Sequence, residues 1–358
     1  MVVRCAVVFG LLGLFQATLG PLIPLLRDQD DLSAATAGLL VTGFFAGCLV
    51  STAVGGMISD RLAKGPLHVV SAGLLVLGMA GLAVPAGWPA PLLAVSVVGL
   101  GFGGLVLIVN TAMAARGLTY VNLVNGTYGL GAAAGPALIS VTHGGWLFAV
   151  LAVGVLFALP PRDAGSTPEG ERGRLRPEAT LFLFCGLLFC YAGIETSLSS
   201  WEAVNLRAHG YSPDVAAALT SLFWLGLAAG RLLVPVVTKA WSASRIITVV
   251  LLASFGGLGL IGASGSAPAG FFVLGVLAGP IFPTTLAWIA RTLPQPRRVN
   301  AAALTIAMLG NATIPTVIGY GMQATSDLAL PLYVAIAVSG CLVIVAILRS
   351  RTRLAHEV

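Results

Sequence analysis

Glu195 stands inside a long apolar stretch of this chain, in the run Tyr191-Ala-Gly-Ile-Glu195-Thr-Ser-Leu-Ser-Ser-Trp201. Tyr191, Glu195, Leu198 and Glu202 recur at i, i+4, i+7 and i+11, which puts them on one face of a helix. A partly desolvated carboxyl on such a face can take up and release a proton as its surroundings open and close. The same residue also suits a structural role, hydrogen-bonded to a broken helix or to a neighbouring Ser or Thr. Neutral polar residues form a second tier within apolar runs: Gln16, Asn110, Asn125, Tyr128, Asn311 and Gln323. Amides and phenols of this kind read polyhydroxylated solutes, and the rings of Tyr191, Trp201, Trp224 and Trp288 can stack on a solute's apolar face. Inter-helix hydrogen bonds draw on the same residue types, so both uses stay open for each of them.

The elements that position these side chains follow from composition. Only 9% of the 358 residues are charged and 57% are hydrophobic. Twelve apolar stretches can be drawn, near 4–26, 34–58, 67–86, 91–113, 120–141, 145–160, 179–200, 214–237, 246–264, 269–290, 299–323 and 331–348. Most approach the ~20 residues that a helix needs to cross a bilayer. With the N-terminus placed in the cytoplasm, only Arg27 and Arg207 of the nineteen Lys and Arg residues fall on the outer side. That distribution follows the positive-inside rule and puts both termini in the cytoplasm. The expectation is an all-α, multi-pass protein of the inner (plasma) membrane. Its first apolar stretch reads as a retained helix rather than a signal peptide, since no cleavage site follows it.

The net charge of +6 belongs to loops facing anionic lipid, so the basic balance does not call for nucleic acid. No phosphate-cradling glycine loop ends in Lys-Ser or Lys-Thr, so nucleotide hydrolysis is not the energy source. The histidines are scattered, and Cys185 and Cys190 have neither redox nor zinc spacing. All five cysteines read as small packing residues. The chain calls for no metal and no cofactor, and an enzymatic role is not expected.

The two halves resemble each other. Phe44-Phe45-Ala46-Gly47 matches Phe223-Trp224-Leu225-Gly226, 179 positions further on. Gly99 and Gly103 match Gly275 and Gly279, and Val121-Asn122 with Gly131 and Pro136 matches Val299-Asn300 with Gly310 and Pro315. Six helices repeated in one orientation make a parallel repeat, with a central site expected between the halves. Residues 1–160 and 179–358 are then two pseudo-symmetric six-helix bundles. The stretch 161–178, rich in Pro, Gly, Arg and Glu, is a cytoplasmic linker between them.

The segment from Gly56 to Gly65 resembles the G-x-x-x-D-R-x-G-R-R signature of the major facilitator superfamily, with Gly56, Asp60, Arg61 and Lys64 matching and Ala63 and Gly65 departing. The resemblance implies a transporter with twelve helices, in which Asp60, Arg61 and Lys64 belong to a cytoplasmic gating network. Asn122 to Pro136, Tyr191 to Trp201 and Gly279 to Thr284 resemble segments of the fucose permease-like sugar porters. Those porters carry coupling acids on the first and fourth helices, where this chain has Gln16 and Asn110. The implied function is proton-coupled movement of a small polar solute, sugar or sugar-like, by a monomer in the bilayer, with Glu195 as the coupling candidate. Gly131-x3-Gly135-Pro136 also resembles half of an antiporter signature, so efflux of a drug or metabolite is the alternative. A non-transporting solute receptor is the alternative from another class.

Overall fold

The computed structural model describes residues 1–58, 64–114, 116, 118–142, 144–158, 179–263, 265–293 and 296–354, and among them it contains helices and no strands. Asp60, Arg61, His143 and the linker 161–178 lie outside the described residues. So does the side chain of Lys64. The helices are α1 (Val2–Asp30), α2 (Ala34–Ile58), α3 (Lys64–Ala83), α4 (Ala90–Ala114), α5 (Leu118–Thr142), α6 (Trp146–Ala158) and α7 (Ala179–Ala208). They continue with α8 (Pro213–Leu219), α9 (Ser221–Val237), α10 (Ala243–Gly262), α11 (Ala267–Ala278), α12 (Ile281–Thr292), α13 (Pro296–Ala324) and α14 (Leu330–Leu354), with a 3-10 turn at Asp327–Ala329.

Two of the predicted stretches are interrupted. The eighth is split at Thr220 into α8 and α9, and the tenth at Gly279-Pro280 into α11 and α12. Pro280 and Pro283 both lack the N–H that an unbroken helix needs there. Among the described residues, nine spans are long and apolar enough to cross a membrane, counting α8 with α9 and α11 with α12. Leu67–Ala83 and Trp146–Phe157 are apolar but shorter. The 25-residue α5 is long enough and less apolar, because Asn122, Asn125, Thr127, Tyr128 and its glycines dilute the hydrophobic residues.

Two compact units share the chain: Met1–Gly170 with Tyr211–Ser221, and Glu171–Gly210 with Leu222–Val358. In the first, α5 lies along α1, α4 packs against both α2 and α3, and α8 rests on α5. In the second, α13 and α14 flank α7, and α10 packs on α11 and α14. The five cysteines are free, with Cys5, Cys48 and Cys341 buried.

Glycines let these helices touch backbone to backbone. A Cβ on Gly99 would collide with the Phe44 carbonyl, one on Gly103 with the Cys48 carbonyl, and one on Gly131 with the Gly10 carbonyl. In the second unit Gly275 meets Phe223, Gly279 meets Leu227 and Gly310 meets Phe189 in the same way. Each of these carbonyls lies 179 positions beyond its counterpart, so the repeat seen in the sequence is a repeat of helix contacts. Between apolar helices in lipid, close van der Waals packing replaces the hydrophobic drive available in water. Gly310→Leu should therefore cost about 1–3 kcal/mol in detergent unfolding. Gly340→Ala, where a Cβ meets nothing within 4 Å, should unfold at the wild-type temperature or above it.

Candidate functional site

Polar side chains in the first unit pair across helices. The Tyr128 hydroxyl on α5 donates to Gln16 Oε1 on α1 at 2.6 Å. Asn125, one turn earlier on α5, donates through Nδ2 to Asn110 Oδ1 on α4 at 3.3 Å and to its own Val121 carbonyl at 2.9 Å. Gln16, Asn110 and Tyr128 are half-buried, while Asn125 is exposed on the surface of the chain. Nearby, the Thr127 hydroxyl donates to the Ala6 carbonyl of α1 at 2.8 Å. Four of the predicted site residues are thus gathered on α1, α4 and α5 as two hydrogen-bonded pairs.

The second unit holds the charge. Tyr191, one turn before Glu195 on α7, donates its hydroxyl to Glu195 Oε2 and lies 3.0 Å from the Ala278 carbonyl, at the point where α11 ends. Arg231 of α9 reaches the same Glu195 oxygen at 3.9 Å, its side chain 38% exposed against 20% for Glu195. Arg231 follows Gly230 near the end of the eighth apolar stretch, where a basic residue ordinarily marks a helix end; in the fold its guanidinium faces a carboxylate. Glu195 is therefore a carboxylate with a phenol and a cation beside it, not an isolated acid. One helical step away, the Thr196 hydroxyl donates to Asn311 Oδ1 on α13 at 2.8 Å.

The aromatic candidates take different positions. Trp201 is fully buried, donates Nε1–H to the Pro315 carbonyl at 2.9 Å and lies against Gly319. Trp288 is buried edge-on to Phe184, with ring centroids 5.2 Å apart. Trp224 is 5% exposed, packs against Phe223, and its Nε1–H has no acceptor. Gln323 is exposed near the end of α13.

A second acid emerges that the sequence reading placed on the Glu195 face without assigning it a role. The predicted span stops at 200, whereas α7 runs to Ala208 and takes Glu202 into the helix. Glu202 is 0% exposed, and neither of its carboxyl oxygens has a hydrogen-bond partner. The signal available in the sequence was its spacing of seven residues from Glu195, which returns to the same helix face. Among the described residues, no group of three or more His, Cys, Asp or Glu is arranged to hold a metal ion.

Comparison with known proteins fits this architecture. A family profile described as Major Facilitator Superfamily matches residues 5–315. The chain belongs to that superfamily of multi-pass membrane transporters. Among solved structures, a point mutant of the nucleoside transporter NupG matches with a TM-score of 0.78 at 10% identity, covering 98% of this chain and 99% of that one. A D-xylose-proton symporter matches at 0.73 and 15% identity, covering 96% of each chain. FucP, described as a Major Facilitator Superfamily transporter in the outward conformation, matches at 0.66 and 14%, covering 97% and 98%. At such identities the likeness is one of fold. Among curated proteins none matches the sequence significantly.

Tyr191→Phe keeps the ring and removes the hydroxyl that serves both Glu195 and the Ala278 carbonyl. Leaving such groups without their donor costs about 1–3 kcal/mol. Thermal unfolding in detergent should register that loss; an unchanged midpoint would show that the hydroxyl contributes nothing there.

Proposed function

We propose that this protein is a secondary transporter that moves a small polar solute, sugar or sugar-like, across the inner membrane by alternating access, coupled to protons. The observation that carries the reading is Glu195, an acid within a membrane span, set between the Tyr191 hydroxyl and the Arg231 guanidinium. Ionisable groups in such spans are costly and mark solute or proton pathways by default. In this reading a proton competes with Arg231 for Glu195. When the proton binds, the attraction between α7 and α9 weakens; when it leaves, the ion pair re-forms. Binding energy thereby shifts the balance between two conformations, and a ligand shifts that balance only through its preference for one of them.

Solute recognition falls to the amides and phenols, Gln16, Asn110, Asn125, Tyr128, Tyr191 and Asn311, with the indole rings of Trp201, Trp224 and Trp288 as apolar surfaces. Each of the pairs already formed is exchangeable for hydrogen bonds to hydroxyl groups of similar geometry. A solute lacking those hydroxyls could not replace the hydrogen bonds it displaces, which is how such sites discriminate. Asp60, Arg61 and Lys64 are assigned to the cytoplasmic gate. The protein acts as a monomer with both termini in the cytoplasm. The names of the structural relatives, a D-xylose-proton symporter and a nucleoside transporter, support a polar solute over a lipophilic one.

The test begins with thermal shift of the detergent-purified protein against monosaccharides, sugar acids, nucleosides and lipophilic cations. A ligand at 100 times its Kd stabilises by about 2.7 kcal/mol when only the folded state binds it. Stabilisation confined to one polar class is expected; stabilisation by lipophilic cations alone would point to efflux instead. In proteoliposomes given the stabilising solute, Glu195→Gln should keep counterflow and lose accumulation driven by a pH gradient. Accumulation at the wild-type level in that variant would remove Glu195 from coupling.

A further inference from the structure

Glu202 is a buried acid that the site described above does not use. Its two oxygens lie in the interior, 0% exposed, and accept from no donor. Asn205, one turn further along α7, is equally buried. Its Nδ2 donates to the Asp327 carbonyl at 2.9 Å, which leaves Oδ1 without a partner. Three unsatisfied acceptor oxygens therefore belong to two side chains on one helix face, at the spacing where i and i+3 residues are neighbours. An ionised Glu202 would put a charge where, among the described residues, no donor reaches its oxygens. Removing a carboxylate from water without compensation is among the costliest events in folding, and such a group neutralises instead.

One proton resolves the arrangement. A protonated Glu202 has an O–H to donate, and Asn205 Oδ1, one turn along the same helix face, is an acceptor without a donor. We propose that Glu202 carries a proton in this conformation, as a neutral acid donating to Asn205, and gives it up to water when the outer end of α7 becomes accessible. No bond is made or broken but O–H, and the proton passes to a water molecule.

The charged groups around Glu202 do not offer another solution. On α7 itself, Glu195 lies seven residues away, about 10 Å along the axis, and is taken up by Tyr191 and Arg231. Arg207, which has interactions of its own, is five residues on and faces another side. His209, just past the helix end, has a buried Nε2 without a partner. α11 carries no ionisable residue. α12 and α14 run antiparallel to α7, with Trp288 at Phe184 and Phe282 at Tyr191, and Ile344 at Gly186 and Cys341 at Cys190. α13 runs parallel to it, with Gly310 at Phe189, Ile314 at Gly193 and Gly319 at Trp201. Arg291, Arg297, Arg298, Arg349 and Arg351 therefore lie toward the Ala179 end, away from Glu202. Of the tyrosines, Tyr320 is exposed, and Tyr333 donates to the Gly321 carbonyl at 2.9 Å. Cys341 belongs with Cys190, deeper along α7. From the 3-10 turn, Asp327 presents its backbone carbonyl to Asn205.

α9 contributes Trp224. Arg231 and Trp224 are seven residues apart on one face of α9, as Glu195 and Glu202 are on α7, and the two helices run in opposite directions. Since Arg231 meets Glu195, Trp224 is level with Glu202. Its buried Nε1–H donates to nothing, so it does not satisfy an ionised Glu202 in this conformation.

The use of this proton in coupling rests on the transporter reading above; its presence on Glu202 does not. Infrared difference spectra of the full chain in liposomes, taken in H2O and D2O at neutral pH, test it directly. The expected result is a deuteration-sensitive carbonyl band of a protonated carboxylic acid, present in wild type and in Glu195→Gln and lost in Glu202→Gln. Asn205→Leu should move that band to the higher frequency of an acid without an acceptor. If Glu202→Gln does not fold, carbon-labelled glutamate decides: the band shifts with the label in wild type and ceases to respond to it in Glu202→Asp. A wild-type spectrum without an acid band overturns the proposal, as does a band that survives in Glu202→Gln. A band abolished by exchanging potassium for sodium would assign the oxygens to a metal cation and overturn it too. Solute counterflow without an acid band would sink Glu202 and leave the transporter reading standing. An acid band in a protein with no counterflow would uphold the protonated acid and remove its use.

Discussion

The hydrocarbon of a bilayer supplies no hydrogen-bond partner, and it is as apolar as the side chains that face it. The first property forces every backbone N–H and C=O in the span to bond within its own helix. The second leaves the helices without a hydrophobic reason to associate. What holds each unit together is contact close enough for dispersion to act, and glycine is the means. α4 meets α2 through Gly99 and Gly103, and α11 meets α9 through Gly275 and Gly279. α5 meets α1 through Gly131, and α13 meets α7 through Gly310. In all of these the neighbouring backbone occupies the place of a side chain.

The same scarcity of partners governs the polar residues. Most serines and threonines turn back on their own helix, as Ser96 does to the Leu92 carbonyl and Thr285 to the Ile281 carbonyl, each at 2.7 Å. These groups are satisfied locally and bind nothing across the fold. The bonds that do run between helices are therefore informative, among them Tyr128 with Gln16, Thr196 with Asn311, Trp201 with the Pro315 carbonyl and Tyr191 with the Ala278 carbonyl. Against that background, Glu195 and Glu202 contrast. One has a phenol and a guanidinium; the other has neither donor nor cation. Two chemically identical groups on one face of one helix are set apart by their surroundings alone.

Much of the architecture was legible from residue order. A run of apolar residues long enough for a bilayer admits one backbone solution, so the helices were found with ends missed by a few residues, and nine spans among the described residues are long and apolar enough to cross a membrane. The missed ends had consequences at α7, because a span drawn to 200 puts Glu202 at a membrane boundary where an acid needs no explanation. The interruption between α11 and α12 was foreshadowed by Pro280 and Pro283. The interruption at Thr220 had no such marker. Arg231 looked like an ordinary basic helix end, and nothing local to it names Glu195 as its counterpart.

By itself the sequence determined the class of structure, the helical order and the internal repeat, since these depend on periodicity and on glycine positions read along the chain. It also determined which residues are polar within apolar spans. Only the tertiary structure decided what each of them meets. Tyr128 and Gln16 are 112 residues apart, Tyr191 and Ala278 87, and Thr196 and Asn311 115. A hydrogen bond depends on distance in space, and for groups so far apart in sequence that distance is set by how the helices pack.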